Sequence, residues 1–215
     1  MHSKDFIFYV LIVLFPLFLL SVSVLAIVFD PSQYDALFGK LGVYTEVPDA
    51  KAVNQEVLRY LLGKEDVLPE AFNTRERQHM ADVKGIFDVL KRVLFVFPLL
   101  CIAALFKWGE RKKAMGTGAL NIGSVMAVVL FAGIIPVVTL AFPASFAAFH
   151  GALFEEGSYL FDPSAELLVQ LYPEQVFFAL GWRIAVFAAL LSLLALFFSF
   201  VMKKDLKHGK TGKAS

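Results

Sequence analysis

An all-α membrane protein with four transmembrane helices is the fold class predicted by three observations. Of the 215 residues 58% are hydrophobic, with 23 Phe, and mean hydropathy is +0.69, more apolar surface than a soluble domain of this size can bury. Four stretches, about 6–28, 86–106, 118–142 and 176–202, are long enough to cross about 30 Å of hydrocarbon as helices. Basic residues are distributed unevenly about those stretches. Lys4 precedes the first, Lys107, Arg111, Lys112 and Lys113 join the second to the third, and Lys203, Lys204, Lys207, Lys210 and Lys213 follow the fourth. The positive-inside rule then places both termini in the cytoplasm and the loops 29–85 and 143–175 outside. The second outer loop has five acids, Glu155, Glu156, Asp162, Glu166 and Glu174, and no Lys or Arg. The chain reads as a single integral membrane domain, 1–215, with a small extracellular cap from the first outer loop, an interfacial helix in the second and a disordered cytoplasmic tail, 203–215.

The first span has an apolar run longer than the roughly 7–15-residue core of a cleaved signal peptide, so it reads as an uncleaved anchor. The loop after it is too long for a simple connection and should fold into the cap. Within the cap, Asp49 through Leu62, closed by Gly63, has helical periodicity with Val53, Val57, Tyr60 and Leu61 inward. Gly42–Val47 reads as a short strand, and 64–71 as a polar loop containing Pro69.

Asn73 and Glu76 stand in capping-box spacing, so a helix should start there and run on into the second span. At about 100° per residue, Arg75, His79, Asp82 and Ile86 share a narrow arc, beside an apolar stripe of Met80, Val83, Phe87, Leu90 and Leu94. Cys101, the single cysteine, lies inside the second span and reads as a small buried apolar residue; alone it excludes an intramolecular disulfide. Past the third span, residues 143–154 carry Phe146, Phe149, Leu153 and Phe154 at helical spacing, the pattern of an amphipathic helix in the membrane interface. His150 falls on its membrane-facing side. Arg183, beside Trp182 in the fourth span, reads either as an interfacial anchor or as a cavity lining.

His79 and His150 are the chemistry-bearing pair, the other two histidines, His2 and His208, lying near the chain ends. Imidazole carries protons near neutral pH, and two of them at one membrane face suggest proton transfer at that surface. Asp82, one turn from His79, could hold the tautomer of its ring. The plain alternative for Arg75, His79 and Asp82 is a solvated helix end. The outer loops have no cysteine and the chain no Gly-x-Ser-x-Gly, which weakens a covalent acyl-enzyme. His-x-x-Asp with a remote histidine could bind zinc, but no His-Glu-x-x-His spacing occurs. Acid–base catalysis of an acyl shift, a metal-dependent membrane hydrolase and a non-catalytic membrane binding or assembly module all stay open on these grounds.

One longer pattern narrows them. Phe72-Asn73-x-Arg75-Glu76-x-x-His79-Met80-x-Asp82-Val83-Lys84, then Phe149-His150, then Leu171-Tyr172-Pro173-Glu174, resembles the lipoprotein intramolecular transacylase family (Lit) of Gram-positive bacteria over nearly the whole chain. The resemblance implies a multi-pass enzyme of the bacterial plasma membrane that moves the sn-2 acyl chain of S-diacylglyceryl-cysteine to the cysteine α-amino group, giving a lyso-form lipoprotein. It implies His79 and His150 as the catalytic pair at the outer face; joined to the reading of the residues, Arg75, Asp82, Glu76 and Tyr159 are expected as supporting residues, with no cofactor or metal. The implied partners are a diacylated lipoprotein substrate and membrane lipid, with no nucleic acid, and the protein itself a monomer. The chain departs from the family pattern at Tyr159, where Trp is common, and at Glu166, where Asp is common. In this reading one histidine takes the proton and the other returns it, either His79 backed by Asp82 with His150 as the acid or the reverse, and Arg75 offsets the oxyanion.

Overall fold

A computed structural model describes residues 3–211. The described residues form nine α-helices: α1 Ser3–Val28, α2 Ser32–Leu41, α3 Val43–Glu46, α4 Ala50–Leu62, α5 Thr74–Trp108, α6 Lys112–Leu140, α7 Phe142–Leu153, α8 Leu167–Leu171 and α9 Glu174–Thr211. Four of them, α1, α5, α6 and α9, are long and apolar enough to cross a membrane. At about 1.5 Å per residue α5 is some 50 Å long, well beyond the hydrocarbon thickness, so its polar first turns extend past its apolar part. Pro16, Pro98 and Pro136 lie inside three of these helices, which transmembrane helices tolerate because neighbours satisfy the freed backbone groups.

The chain divides into two compact units, each receiving a part of every long helix. The first contains residues 1–24, 91–135 and 184–215. Its core is Leu11, Ile12, Phe15 and Leu19 of α1, Phe97, Ala104 and Trp108 of α5, Ala119, Ala127 and Phe131 of α6, and Ala188 of α9. Phe18 stacks on Phe97 at 4.6 Å between ring centroids. Between apolar helices in lipid, close packing of small residues replaces the hydrophobic drive. Accordingly Gly123 lies so near Phe15 that a Cβ there would fall 3.1 Å from the Phe15 Cβ. Asn121 Nδ2 donates to Ser199 Oγ at 2.9 Å, tying α6 to α9. Cys101 is half-buried rather than buried. It helps line an apolar cleft of about 220 Å³ with Leu11, Phe15, Phe97 and Trp108. The outward side chains, such as Phe95, Leu99 and Phe106 of α5 and Val129 and Leu130 of α6, are exposed, the pattern of a lipid-facing surface.

The second unit contains residues 25–90 and 136–183. Its core gathers Tyr34, Leu37 and Phe38 of α2, Val57, Leu58, Tyr60 and Leu61 of α4, Phe72, Met80 of α5, Leu171 of α8, Tyr172, and Val176 and Leu180 of α9. The α4 helix matches its sequence pattern, with Val53 half-buried against the core instead of inside it. Gly42 at φ 74° and Gly63 at φ 79° close α2 and α4 in the left-handed region, where a Cβ would be strained. The Tyr172 hydroxyl donates to Asn54 Oδ1 at 2.7 Å and the Tyr34 hydroxyl to the Val28 carbonyl at 2.9 Å. Burial pushes the Tyr34 phenol up from its usual range and that of Tyr172 well above it. Arg183 donates to the Gln33 carbonyl and to Gln33 Oε1, while Gln33 Nε2 donates to Asp30. The cation therefore secures the start of α2.

Two sequence expectations are corrected. Gly42–Val47 is not a strand; Val43–Glu46 is a helical turn, and Val47 N donates to the Val43 carbonyl at 2.8 Å. Four-residue spacing puts Val43 and Val47 together in the core, and with no strand to pair with among the described residues, helix is the conformation that satisfies the backbone. The tail is not disordered up to Thr211: it continues α9 through Lys203–Lys210, Lys and Leu being good helix formers. Residues 212–215 of that tail lie outside the described residues. The polar loop 64–71 and the helix in 143–154 occur as expected, the latter as Phe142–Leu153.

Replacing Gly123 by Val should lower stability by about 1–3 kcal/mol through overpacking against Phe15, whereas Gly133→Ala, where nothing lies within 4 Å, should leave it nearly unchanged. Thermal unfolding in detergent reads both, and equal midpoints for the two variants would contradict the packing described.

Candidate functional site

The site begins with the capping box at the start of α5. Asn73 Oδ1 accepts the Glu76 N–H at 3.0 Å, and Glu76 Oε2 accepts the Asn73 N–H at 2.7 Å. These are the reciprocal bonds that the Asn-x-x-Glu spacing predicts. Glu76 has a second task that local sequence does not reveal. Its Oε1 accepts the Leu168 N–H at 2.6 Å, and the side chain is only 1% exposed. The first turn of α5 is thereby joined to the start of α8.

A second carboxylate completes this clasp. Glu166 Oε1 accepts from Asn73 Nδ2 at 3.3 Å and Oε2 accepts from the Asp162 N–H at 2.6 Å. Arg75 Nη1 lies 3.8 Å from Glu166 Oε1, Nη2 donates to the Leu160 carbonyl, and the guanidinium rests 5.0 Å over the Phe161 ring. Arg75, expected at a developing oxyanion, is thus engaged in holding the segment 154–168 against α5.

That segment and α7 build a cage of rings. His79, 7% exposed, lies 4.6 Å from Phe154 and 5.4 Å from Phe161 between ring centroids. His150 lies 6.2 Å from His79 with the ring planes within 18° of parallel. Around His150 stand Phe146 at 4.2 Å, Tyr159 at 5.3 Å and Phe154 at 5.4 Å. Two histidines distant in sequence are therefore neighbours in space, along with Glu76, Arg75 and Tyr159 from the same set. Asp82, one turn along α5, is exposed, and His79 Nδ1 is buried with no hydrogen-bond partner.

His150 Nδ1 lies 2.8 Å from the Phe146 carbonyl oxygen. A carbonyl oxygen only accepts, so Nδ1 carries the proton and the lone pair of the neutral ring is on Nε2. The helix itself sets this tautomer, since Phe146 is one turn earlier on α7. No group of three or more His, Cys, Asp or Glu fit to hold a metal ion occurs among the described residues. Chemically, each imidazole can accept, hold and release a proton beside a wall of aromatic rings. Sequence did not assign Glu166, Phe154 or Phe161 to the site, although Glu166 stood at a family-pattern position and Phe154 one turn after His150; Phe161 had no signal.

Glu76→Ala should cost about 1–3 kcal/mol, because the N–H of Leu168 loses its buried acceptor. Amide hydrogen exchange at Asn73 and Leu168 should accelerate together, and unchanged protection at Leu168 would refute the clasp.

Comparison with known proteins gives concordant results. The in meso structure of the membrane integral lipoprotein intramolecular transacylase Lit from Bacillus cereus has a TM-score of 0.84 to this chain at 20% identity, covering 96% of this chain and 99% of that one. A structure of the same Bacillus cereus protein with one histidine replaced by arginine gives 0.78 at 19% identity, over 97% and 95% of the two chains. These establish a shared fold. An uncharacterized protein of Aquifex aeolicus (strain VF5) is 27% identical over 168 residues, 78% of this chain and 72% of that protein. The sequence model described as lipoprotein intramolecular transacylase Lit matches residues 9–178, and on that match the chain belongs to the Lit family.

Proposed function

We propose that this protein moves the sn-2 acyl chain of an S-diacylglyceryl-cysteine to the α-amino group of the same cysteine, leaving a lyso-form lipoprotein. Family membership supports the reaction class. The observation that carries the residue assignment is the near-parallel pair of His79 and His150, 6.2 Å apart. The substrate is then a diacylated lipoprotein held in the membrane. The charge asymmetry of the loops supports a site at the outer face and both termini in the cytoplasm.

His150 is the base in this mechanism. With its Nδ1–H held by the Phe146 carbonyl, Nε2 faces the reaction as an acceptor. The free amine attacks the ester carbonyl; the new C–N bond forms, and the amine proton passes to Nε2. The C–O bond to glycerol then breaks, and the departing sn-2 oxygen takes the proton, either from His150 or relayed through His79. An imidazole enclosed by Phe154 and Phe161 is favoured in its neutral form, since an imidazolium there would lose its hydration. A neutral His79 can both accept and return a proton. Of the two assignments open from sequence this takes the one with His150 as base, supported by a His79 Nδ1 without a hydrogen-bond partner. Glu76, Glu166 and Arg75 act through position, fixing the rings against each other.

Holding amine and ester in one molecule supplies much of the rate, as in any well-oriented intramolecular reaction. Each imidazole adds about 10²–10⁴-fold. His79→Ala and His150→Ala should therefore each lower transfer at least about 10²-fold at unchanged protein level. Intramolecular transfer leaves the parent mass unchanged, so the readout is tandem mass spectrometry that locates the acyl chain on a lipoprotein's N-terminal peptide, in cells lacking any other N-acylating enzyme. Normal turnover in either variant would sink the mechanism. Chelators should leave turnover intact; strict inhibition reversed by zinc would point to a metalloenzyme instead.

A further inference from the structure

On one face of α7, Phe142, Phe146 and His150 recur every fourth residue, so their rings form a ladder along the helix. Phe142 stacks on Phe146 at 5.4 Å, and Phe146 lies 4.2 Å from the His150 ring. The first turns of α9 add Phe177, 5.1 Å from Phe146, and Phe178, 5.3 Å from Phe142. Phe177 and Phe178 are 39% and 38% exposed, and Phe142, Phe146 and His150 are half-buried. The ladder is thus a partly open apolar surface that ends at an imidazole. From Phe142 to His150 it extends about 12 Å along the helix axis.

Its two ends differ in chemistry. Phe142–Leu153 contains no Asp, Glu, Lys or Arg. Beyond His150 stand Phe154 at 5.4 Å and the Tyr159 ring, with its hydroxyl, at 5.3 Å, and the chain runs on through the exposed acids Glu155 and Glu156.

We propose that the Phe142–Phe146 ladder, flanked by Phe177 and Phe178, is the binding track for the acyl chain being transferred, with the reacting carbonyl at His150 and the methylene chain running toward Phe142. This rests on the transacylase reading and adds to it the subsite that senses chain length. The ester fixes the polarity of the track: everything on the acyl side of the carbonyl is hydrocarbon, and everything on the glycerol and peptide side can use polar contacts. Each methylene laid on the rings exchanges disordered lipid for a defined packed contact, so the preference should grow with length until the track is filled.

The test uses the full-length protein in detergent–lipid micelles with two synthetic S-diacylglyceryl-cysteine peptides, one with a butyryl and one with a palmitoyl sn-2 chain. Fragmentation mass spectrometry gives kcat/KM for each, and the palmitoyl-to-butyryl ratio is the readout. The ratio is internal to each preparation, so partial loss of folded protein does not move it. Phe142→Ala and Phe178→Ala should each lower the ratio about tenfold, the scale of removing one large apolar contact. Phe142→Leu should restore most of it. Transfer of both chains by the wild type with an unchanged ratio in both alanine variants would overturn the track and leave the transacylase reading standing. Failure of the wild type to transfer either chain would overturn that reading, and the track with it.

Discussion

The buried carboxylate of Glu76 is the constraint on which the site depends. Its two oxygens accept N–H groups from Asn73, at the start of α5, and from Leu168, at the start of α8. A carboxylate at the third position of a helix also faces the positive end of the helix dipole, so the local and the long-range bonds reinforce each other. Without it, the buried Leu168 N–H would be left unpaired, a penalty larger than the net worth of an ordinary hydrogen bond. Because His79 stands one turn after Glu76 on the same rigid helix, fixing one fixes the other. Glu166 repeats the device from the opposite direction, accepting from Asn73 and from the Asp162 N–H.

The clasp has a chemical consequence. It presses Phe154 and Phe161 onto His79, which buries an imidazole with its Nδ1 unpartnered. Such a group is unfavourable for stability, and proteins tend to keep unsatisfied polar atoms and strain where function needs them. The two imidazoles differ in their hydrogen bonding: His150 has its tautomer fixed by the Phe146 carbonyl one turn earlier, whereas His79 Nδ1 is buried without a hydrogen-bond partner.

The long helices and the small ones are held by different physics. In the unit formed by 1–24, 91–135 and 184–215, small residues admit close approach, as Gly123 admits Phe15, and apolar side chains remain on the outside. In the unit that carries the histidines, the core is gathered from short helices around Phe38, Phe72 and Leu171, with polar groups such as Asn54 and Tyr172 satisfied inside it. That second mode resembles a soluble domain, and it is what allows a charged clasp and an aromatic cage to be built from loops.

The four apolar helices, the α4 helix with its glycine cap and the Asn73–Glu76 capping box were legible in sequence, because each depends on periodicity, length or spacing within a few residues. His79 and His150 were legible as candidates, being the only histidines away from the chain ends. Their proximity was not, since it depends on α7 and the 154–168 segment returning to the first turns of α5. The turn at Val43 was misread because a pair of valines four apart and alternating polar residues fit helix and strand equally; burial of Val43 with Val47 decided it. The role of Arg75 was open for the same reason, as any cation near a histidine could serve an oxyanion until Leu160, Phe161 and Glu166 are seen to occupy it. The sequence by itself determined the membrane class, the helices and the start of α5, all local properties of the chain. Tertiary structure alone decided the bond from Leu168 to Glu76 and the pairing of the imidazoles, because those rest on contacts between residues that no spacing rule connects.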